Sequence, residues 1–398
     1  MYDFMFQQAG KRLVMYYPET SYWVNYDNQV PLFLPVYALN RLRDLRLIAA
    51  RELAENVTID GQYIFDSGWE WGYWLQDVVS ARGAFNPFAN EATDELALRK
   101  ALWPIVRHFG TSTQGALDTL VKMSFVQRDL LIYGEVNGVL PDNVEERNGI
   151  AYLEGWDTFA DIGTTFESFL NTQPKRLGLT EFRTRLNPQP NYRREVEPLL
   201  AEMAVSFTDL AAALAALQGA VPLAAQPFFG ELVDGSLMVS NRALQVHALY
   251  DYASTWREGA TEERSARLQD ATNALASAEV VMRRREAQYR TPLERIAGWR
   301  HNPTCYDYGY LWQAKTLYYF WRDHDKAFFA SRELLSPCYM NVISPVDVGF
   351  GEGLLYNLTV RIRDWADENR PGNHFVLDCI AAPLEEPSYP LPLPGGHE

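Results

Sequence analysis

Residues 63 to 77, "YIFDSGWEWGYWLQD", set Asp66 and Glu70 among Trp69, Trp71, Tyr73 and Trp74. A second acid keeps similar company near the N-terminus, where Glu19 in "YYPETSYWVNYDN" is followed by Tyr22, Trp23, Asn25 and Asp27. Aromatic rings stack on the C–H faces of sugars, exclude water and raise the pKa of a neighbouring carboxyl, as a general acid requires. Two carboxyl groups about 5 to 9.5 Å apart are the usual machinery of glycoside hydrolysis. The sequence therefore nominates Glu19, Asp66 and Glu70 as catalytic. Tyr22, Trp23, Asn25, Asp27, Trp69, Trp71 and Tyr73 are the candidate sugar contacts.

Two further stretches carry similar residues. Residues 298 to 325, "GWRHNPTCYDYGYLWQAKTLYYFWRDHD", offer Arg300 and Tyr308 as sugar contacts, together with His301, Asp307 and Trp312. "YLEGWDTFAD" adds Glu154 and Asp157. Each nomination has a plainer reading. On a helix over 69–82, Trp71, Trp74, Leu75 and Val78 form one apolar stripe, the pattern of a core face. Acids before a helix stabilise its N-terminus, and Asn and Asp are common in turns.

The elements that must hold these groups follow from spacing. "RLVMYY" (12–17), bounded by Gly10 and Pro18, suits a buried strand, and "QYIFD" after the turn at Asp60-Gly61 suits a second. Between them, residues 31 to 56 repeat apolar positions at Leu39, Leu42, Leu45 or Leu47, Ala49 and Leu53, a helical rhythm. "WEWGYWLQDVVSARG" predicts a helix stopped near Gly83. Strand, helix, strand, helix implies parallel strands, whose carboxyl ends bind ligands in α/β proteins. Glu19 and Asp66 both follow such ends.

Beyond residue 90 the pattern is helical. Segments 94–109, 114–133 and 152–171 are amphipathic, and Leu200, Met203, Phe207, Leu210, Leu214 and Leu217 step by threes and fours. Leu268, Ala271, Leu275, Ala278 and Met282 do the same, with Thr261 as the N-cap. The expected fold is mixed and predominantly α: two βα units (1–90), a helical bundle (91–335) and a C-terminal extension (336–398) with one helix and a Pro-rich tail.

Composition bounds the function. Fifty-one acids against 36 bases give a net charge of −15, which repels phosphate backbones and anionic lipid. Nucleic acid and membranes are therefore not expected partners. Three scattered Cys and six isolated His predict neither a disulfide framework nor a metal site, and there is no phosphate-cradle or nucleophile-elbow motif. No cofactor is expected. A reduced, cytoplasmic setting is the default, with export if an upstream signal exists.

On "YYPET" and "FDSGWEWGYW", with the βαβα order, residues 1 to 90 resemble the last two βα units of a (β/α)8-barrel glycoside hydrolase, followed by a helical domain. The resemblance implies a hydrolase, or its C-terminal portion, acting on an oligo- or polysaccharide, with Glu19 as nucleophile or base and a missing N-terminal part of the same protein as partner. The alternative from a different class is a non-catalytic helical module that binds carbohydrate or serves as a scaffold, its aromatics lying in the core.

Overall fold

The computed structural model describes residues 2–17, 32–64, 71–142, 147–155, 176, 177, 179, 192–255, 261–289, 316, 317, 319, 320, 323, 324, 327 and 365. They are predominantly helical, with two parallel strands. Two compact units emerge: one gathers the described residues within Met1–Tyr22, Phe33–Asp129 and Asp209–Ser236, the other those within Trp23–Leu32, Leu130–Thr208 and Leu237–Glu398. The boundary expected at residue 90 falls inside the first.

In the first unit, α1 (Tyr2–Gln8) leads through Gly10, at φ +75°, into β1 (Met15–Tyr16). After α2 (Val36–Glu55) comes β2 (Gly61–Gln62), parallel to β1 with Met15 opposite Gly61 and Tyr16 opposite Gln62. Both strands are shorter than the apolar runs that announce them. Met5 and Phe6 of α1 pack with Val14, Tyr16, Leu45, Ile48 and Ile59 into one core cluster. The choice between Leu45 and Leu47 falls on Leu45, which is buried. Leu47 and Leu53 face outward, because Leu39, Leu42, Leu45 and Ile48 already complete a stripe at three-residue steps.

The helix α3 (Tyr73–Phe85) ends two residues beyond Gly83. A Cβ at Gly83 would lie 2.8 Å from Leu45 Cδ1 and 3.0 Å from Leu42 Cδ1, so this glycine lets α3 press closely onto α2. Thr93 caps α4 (Asp94–Val106), its Oγ1 accepting from the Leu96 N–H at 3.2 Å. Then α5 (Thr113–Gln127) widens into a π-helical turn, Arg128–Ile132.

Among the described residues of the remaining chain are α6 (Gly149–Glu154), α7 (Glu197–Ala215), α8 (Gln226–Ser254) and α9 (Glu262–Tyr289). On α7, Leu199, Leu200, Met203, Ala204, Phe207, Leu210, Ala211 and Leu214 are buried. Tyr192–Ala220 is long and apolar enough to cross a membrane by length and composition alone, but that buried stripe is what a bundle helix also needs. Thr261 Oγ1 accepts from the Arg264 N–H at 3.1 Å and so caps α9 as expected.

Within the second unit, polar groups are sealed together. Asp323 accepts two hydrogen bonds from Arg176, at 2.7 and 2.8 Å, and one from Arg242, all three side chains being fully buried. Arg242 also donates Nε to the Leu153 carbonyl at 2.9 Å, and Gln245 donates to the Phe320 carbonyl at 2.7 Å. Leu153, Phe320 and Asp323 are thereby tied to α8.

Candidate active site at the carboxyl ends of the paired strands

Strand alternation sends Tyr16 inward and Tyr17 outward. Tyr16 is 4% exposed, and its hydroxyl donates to Asp44 Oδ2 at 2.7 Å while accepting from Arg41 at 3.1 Å. Burial pushes its phenol far above the usual range; Arg41 opposes this and Asp44 adds to it. Tyr16 is therefore a structural donor. Tyr17 and Tyr63, one residue past each strand, are 57% and 61% exposed and meet edge to face with centroids 6.3 Å apart. Two open phenol rings thus mark the carboxyl edge.

The stretches that leave this edge return to adjoining points. Residues 18–31 rejoin the described chain just before Phe33, and residues 65–70 rejoin it at Trp71. A Cβ on Gly72 would lie 2.7 Å from the Phe33 ring, and one on Gly235 of α8 would lie 2.7 Å from Phe33 Cβ and 3.0 Å from Trp71 Cβ. Phe33 and Trp71 therefore pack side by side on α8 at Gly235, where no side chain intervenes. Three polar groups fix these return points. Gln127 donates to the Phe33 carbonyl and accepts from the Val36 N–H, both at 3.2 Å, Gln76 donates to the Leu34 carbonyl at 3.4 Å, and the Gly72 N–H donates to Glu231 at 2.8 Å. Gly72 itself has φ +61°, a conformation that favours glycine.

Of the nominated residues, Trp71 and Tyr73 are described. Trp71 has none of its surface accessible, which corrects its nomination as a sugar platform: it stands two residues before α3, ahead of the N-cap Gly72, and packs beside Phe33 against Gly235. Tyr73 is half-buried at the start of α3. Glu19, Asp66, Glu70, Tyr22, Trp23, Asn25, Asp27, Trp69, Arg300 and Tyr308 lie outside the described residues, as do His301, Asp307, Trp312 and Asp157. Glu154 is fully buried on α6.

Sequence reasoning did not single out Gln76, Gln127, Glu231 or Gly235 as anchors. Gly230 and Gly235, five residues apart in an otherwise helical segment, are the one local sign of a close approach. Among the described residues no three His, Cys, Asp or Glu side chains cluster as a metal site would require. Compared with known proteins, the chain matches no family model, no curated protein and no solved structure.

Proposed function

We propose that the protein is a carbohydrate-active hydrolase, or a portion of one, that cleaves glycosidic bonds of an oligo- or polysaccharide at the carboxyl edge of β1 and β2. In this reading the strand pair belongs to the end of a (β/α)8 barrel. One observation carries the reading. The stretch bearing Glu19 and the stretch bearing Asp66 and Glu70 start beside the contacting rings of Tyr17 and Tyr63, and end at the adjoining residues Phe33, Trp71 and Gly72. Two segments bracketed in this way at both ends favour a shared site for their acids.

Chemistry follows from the residue types. Glu19 acts as nucleophile or base, and Glu70 or Asp66, in aromatic surroundings that hold its proton, protonates the leaving oxygen. Tyr17 and Tyr63 present ring faces and hydroxyls to the sugar. The test is hydrolysis of a panel of glycosides by the wild type and by Glu19→Gln, Asp66→Asn and Glu70→Gln. Losing a positioned acid or base lowers turnover by about 10² to 10⁴-fold. Unchanged rates in all three variants would refute the assignment.

The burial of Trp71 favours a second reading, a non-catalytic helical module that binds carbohydrate or serves as a scaffold. Saturable oligosaccharide binding without turnover, indifferent to all three substitutions, selects that alternative.

A further inference from the structure

A cavity of about 400 Å³ opens in the first unit between the first turn of α3, the end of α4 and the 3₁₀ turn Leu223–Ala225 before α8. Its walls are Trp74, Ile105, Phe109, Pro222 and Phe228, with His108 as the one titratable group among the lining residues. The size lies within the roughly 300 to 1,000 Å³ typical of small-molecule sites. The walls are braced. Phe109 meets Phe229 edge to face at 5.0 Å, and Ser112 donates to the Leu217 carbonyl at 2.8 Å. Gly110, at φ +62°, leaves just enough room for the Pro222 ring, which would lie 3.0 Å from an added Cβ. Phe228, packed edge to face on Trp74 at 5.6 Å, is nonetheless 57% exposed. A large ring left half in water beside a braced apolar hollow is surface that an apolar ligand would cover.

The lining selects the chemistry of the occupant. Beside His108 the lining side chains offer a sugar ring only one further polar group, the Trp74 Nε1–H, which has no hydrogen-bond partner among the described residues, so most of its hydroxyls would lose their hydrogen bonds, each at a cost. An uncharged aromatic or alkyl group loses nothing. Chain geometry supplies the location: Trp74 is four residues from Glu70, and four residues span at most about 14 Å whatever their conformation. Glu70 is, with Asp66, a candidate for the acid that protonates the leaving group, so a nearby apolar hollow is where that leaving group would lie.

Resting on the hydrolase reading above, we infer that this cavity is an aglycone site, and that the preferred substrates are glycosides with an apolar aryl or alkyl leaving group. The step is ordinary hydrolysis: the C–O bond to the aglycone breaks, its oxygen takes the acid's proton, and water supplies the hydroxyl to the sugar.

The experiment compares kcat/KM for methyl, octyl and 4-nitrophenyl glycosides of one sugar, with octyl glycosides kept below micelle formation, and separately measures binding of free 4-nitrophenol by tryptophan fluorescence. The wild type is expected to prefer the apolar aglycones by about tenfold or more, the scale of a modest apolar contact in a binding pocket. Ala225→Trp, which fills the cavity from a surface turn, and the milder Phe228→Ala should bring that preference close to one and abolish 4-nitrophenol binding. Leu53→Ser, an exposed position on α2, should leave both unchanged; unaltered melting confirms that each variant folds. Hydrolysis with no aglycone preference, or a preference that survives both cavity variants, overturns the inference and leaves the hydrolase reading intact. No turnover of any glycoside, with 4-nitrophenol binding that Ala225→Trp abolishes, overturns the hydrolase reading and the aglycone role with it, leaving an apolar ligand site.

Discussion

Asp323→Asn removes the carboxylate charge that two fully buried guanidinium groups, Arg176 and Arg242, share. In the native protein Arg176 grips the carboxylate with two hydrogen bonds, at 2.7 and 2.8 Å, and Arg242 with a third. The isosteric amide keeps the shape and loses the charge. Its NH2 group faces donors where an oxygen was, so at least one guanidinium N–H loses its acceptor and two cations remain in a low-dielectric interior. Breaking a buried pair by removing one partner costs about 3 to 5 kcal/mol, a large share of a typical stability of about 5 to 15 kcal/mol. Arg242 retains the carbonyls of Leu153 and Tyr319 and the side chain of Gln245. Urea unfolding followed by circular dichroism measures the change, with Asp118→Asn as the comparison. Asp118 pairs with Arg99 at the surface, where its side chain is 51% exposed, and such pairs contribute up to about 1 kcal/mol. The expected order is a loss for Asp323→Asn several times that for Asp118→Asn, with part of it recovered when Arg176→Met is added. Equal losses, both below about 1 kcal/mol, would refute the buried network.

Gly235→Ala should destabilise even though alanine is the better helix former by about 1 kcal/mol. The new methyl would sit 2.7 Å from Phe33 Cβ and 3.0 Å from Trp71 Cβ, and such overpacking costs about 1 to 3 kcal/mol; a rise in melting temperature would contradict the packing. Burial holds the His247 imidazole below its usual pKa, the nearby Asp251 opposing this and Arg267 adding to it. Its stability contribution is therefore complete above the unfolded value of about 6.5 and is lost as pH falls from there toward the lower folded value. His247→Asn should flatten the decline in melting temperature between pH 7 and pH 5, and parallel curves for the two proteins would exclude the effect. Trp71→Phe should leave any fluorescence change on oligosaccharide binding intact, since the Trp71 indole is sealed; loss of that change would return Trp71 to the binding surface.

The strand–helix–strand order was readable because each element satisfies its own local rule. The apolar run between Gly10 and Pro18 gave the first strand, the turn at Asp60-Gly61 announced the second, and the apolar repeat from Leu39 to Leu53 gave the helix between them. Their parallel pairing followed from connectivity alone. Burial of Trp71 was not legible from helical spacing, since Trp71 stands before α3, and Val78, on the same expected stripe, is 37% exposed. What stayed hidden was long-range. Arg176 and Asp323 are 147 residues apart, and Arg242 and Asp323 are 81 apart, so no local pattern marks them as partners. The full extent of α8 was obscured for a related reason. Asp234, Arg242 and Gln245 interrupt its apolar rhythm, yet all three are buried. The two units were unreadable because the chain changes membership within α7 and α8, where no Pro- or Gly-rich linker signals a boundary.

The proposed hydrolase requires one spatial arrangement, Glu19 facing the Asp66/Glu70 pair at the carboxyl edge of β1 and β2. Its direct test is the separation of nitroxide labels on Glu19→Cys and Glu70→Cys, with Cys305, Cys338 and Cys379 replaced by serine, read from dipolar broadening with and without oligosaccharide. Carboxyl groups about 5 to 9.5 Å apart keep the two labels within about 20 Å, and the account predicts broadening on that scale. Labels that give no broadening, with the protein folded, would place the two acids on separate sites and contradict it.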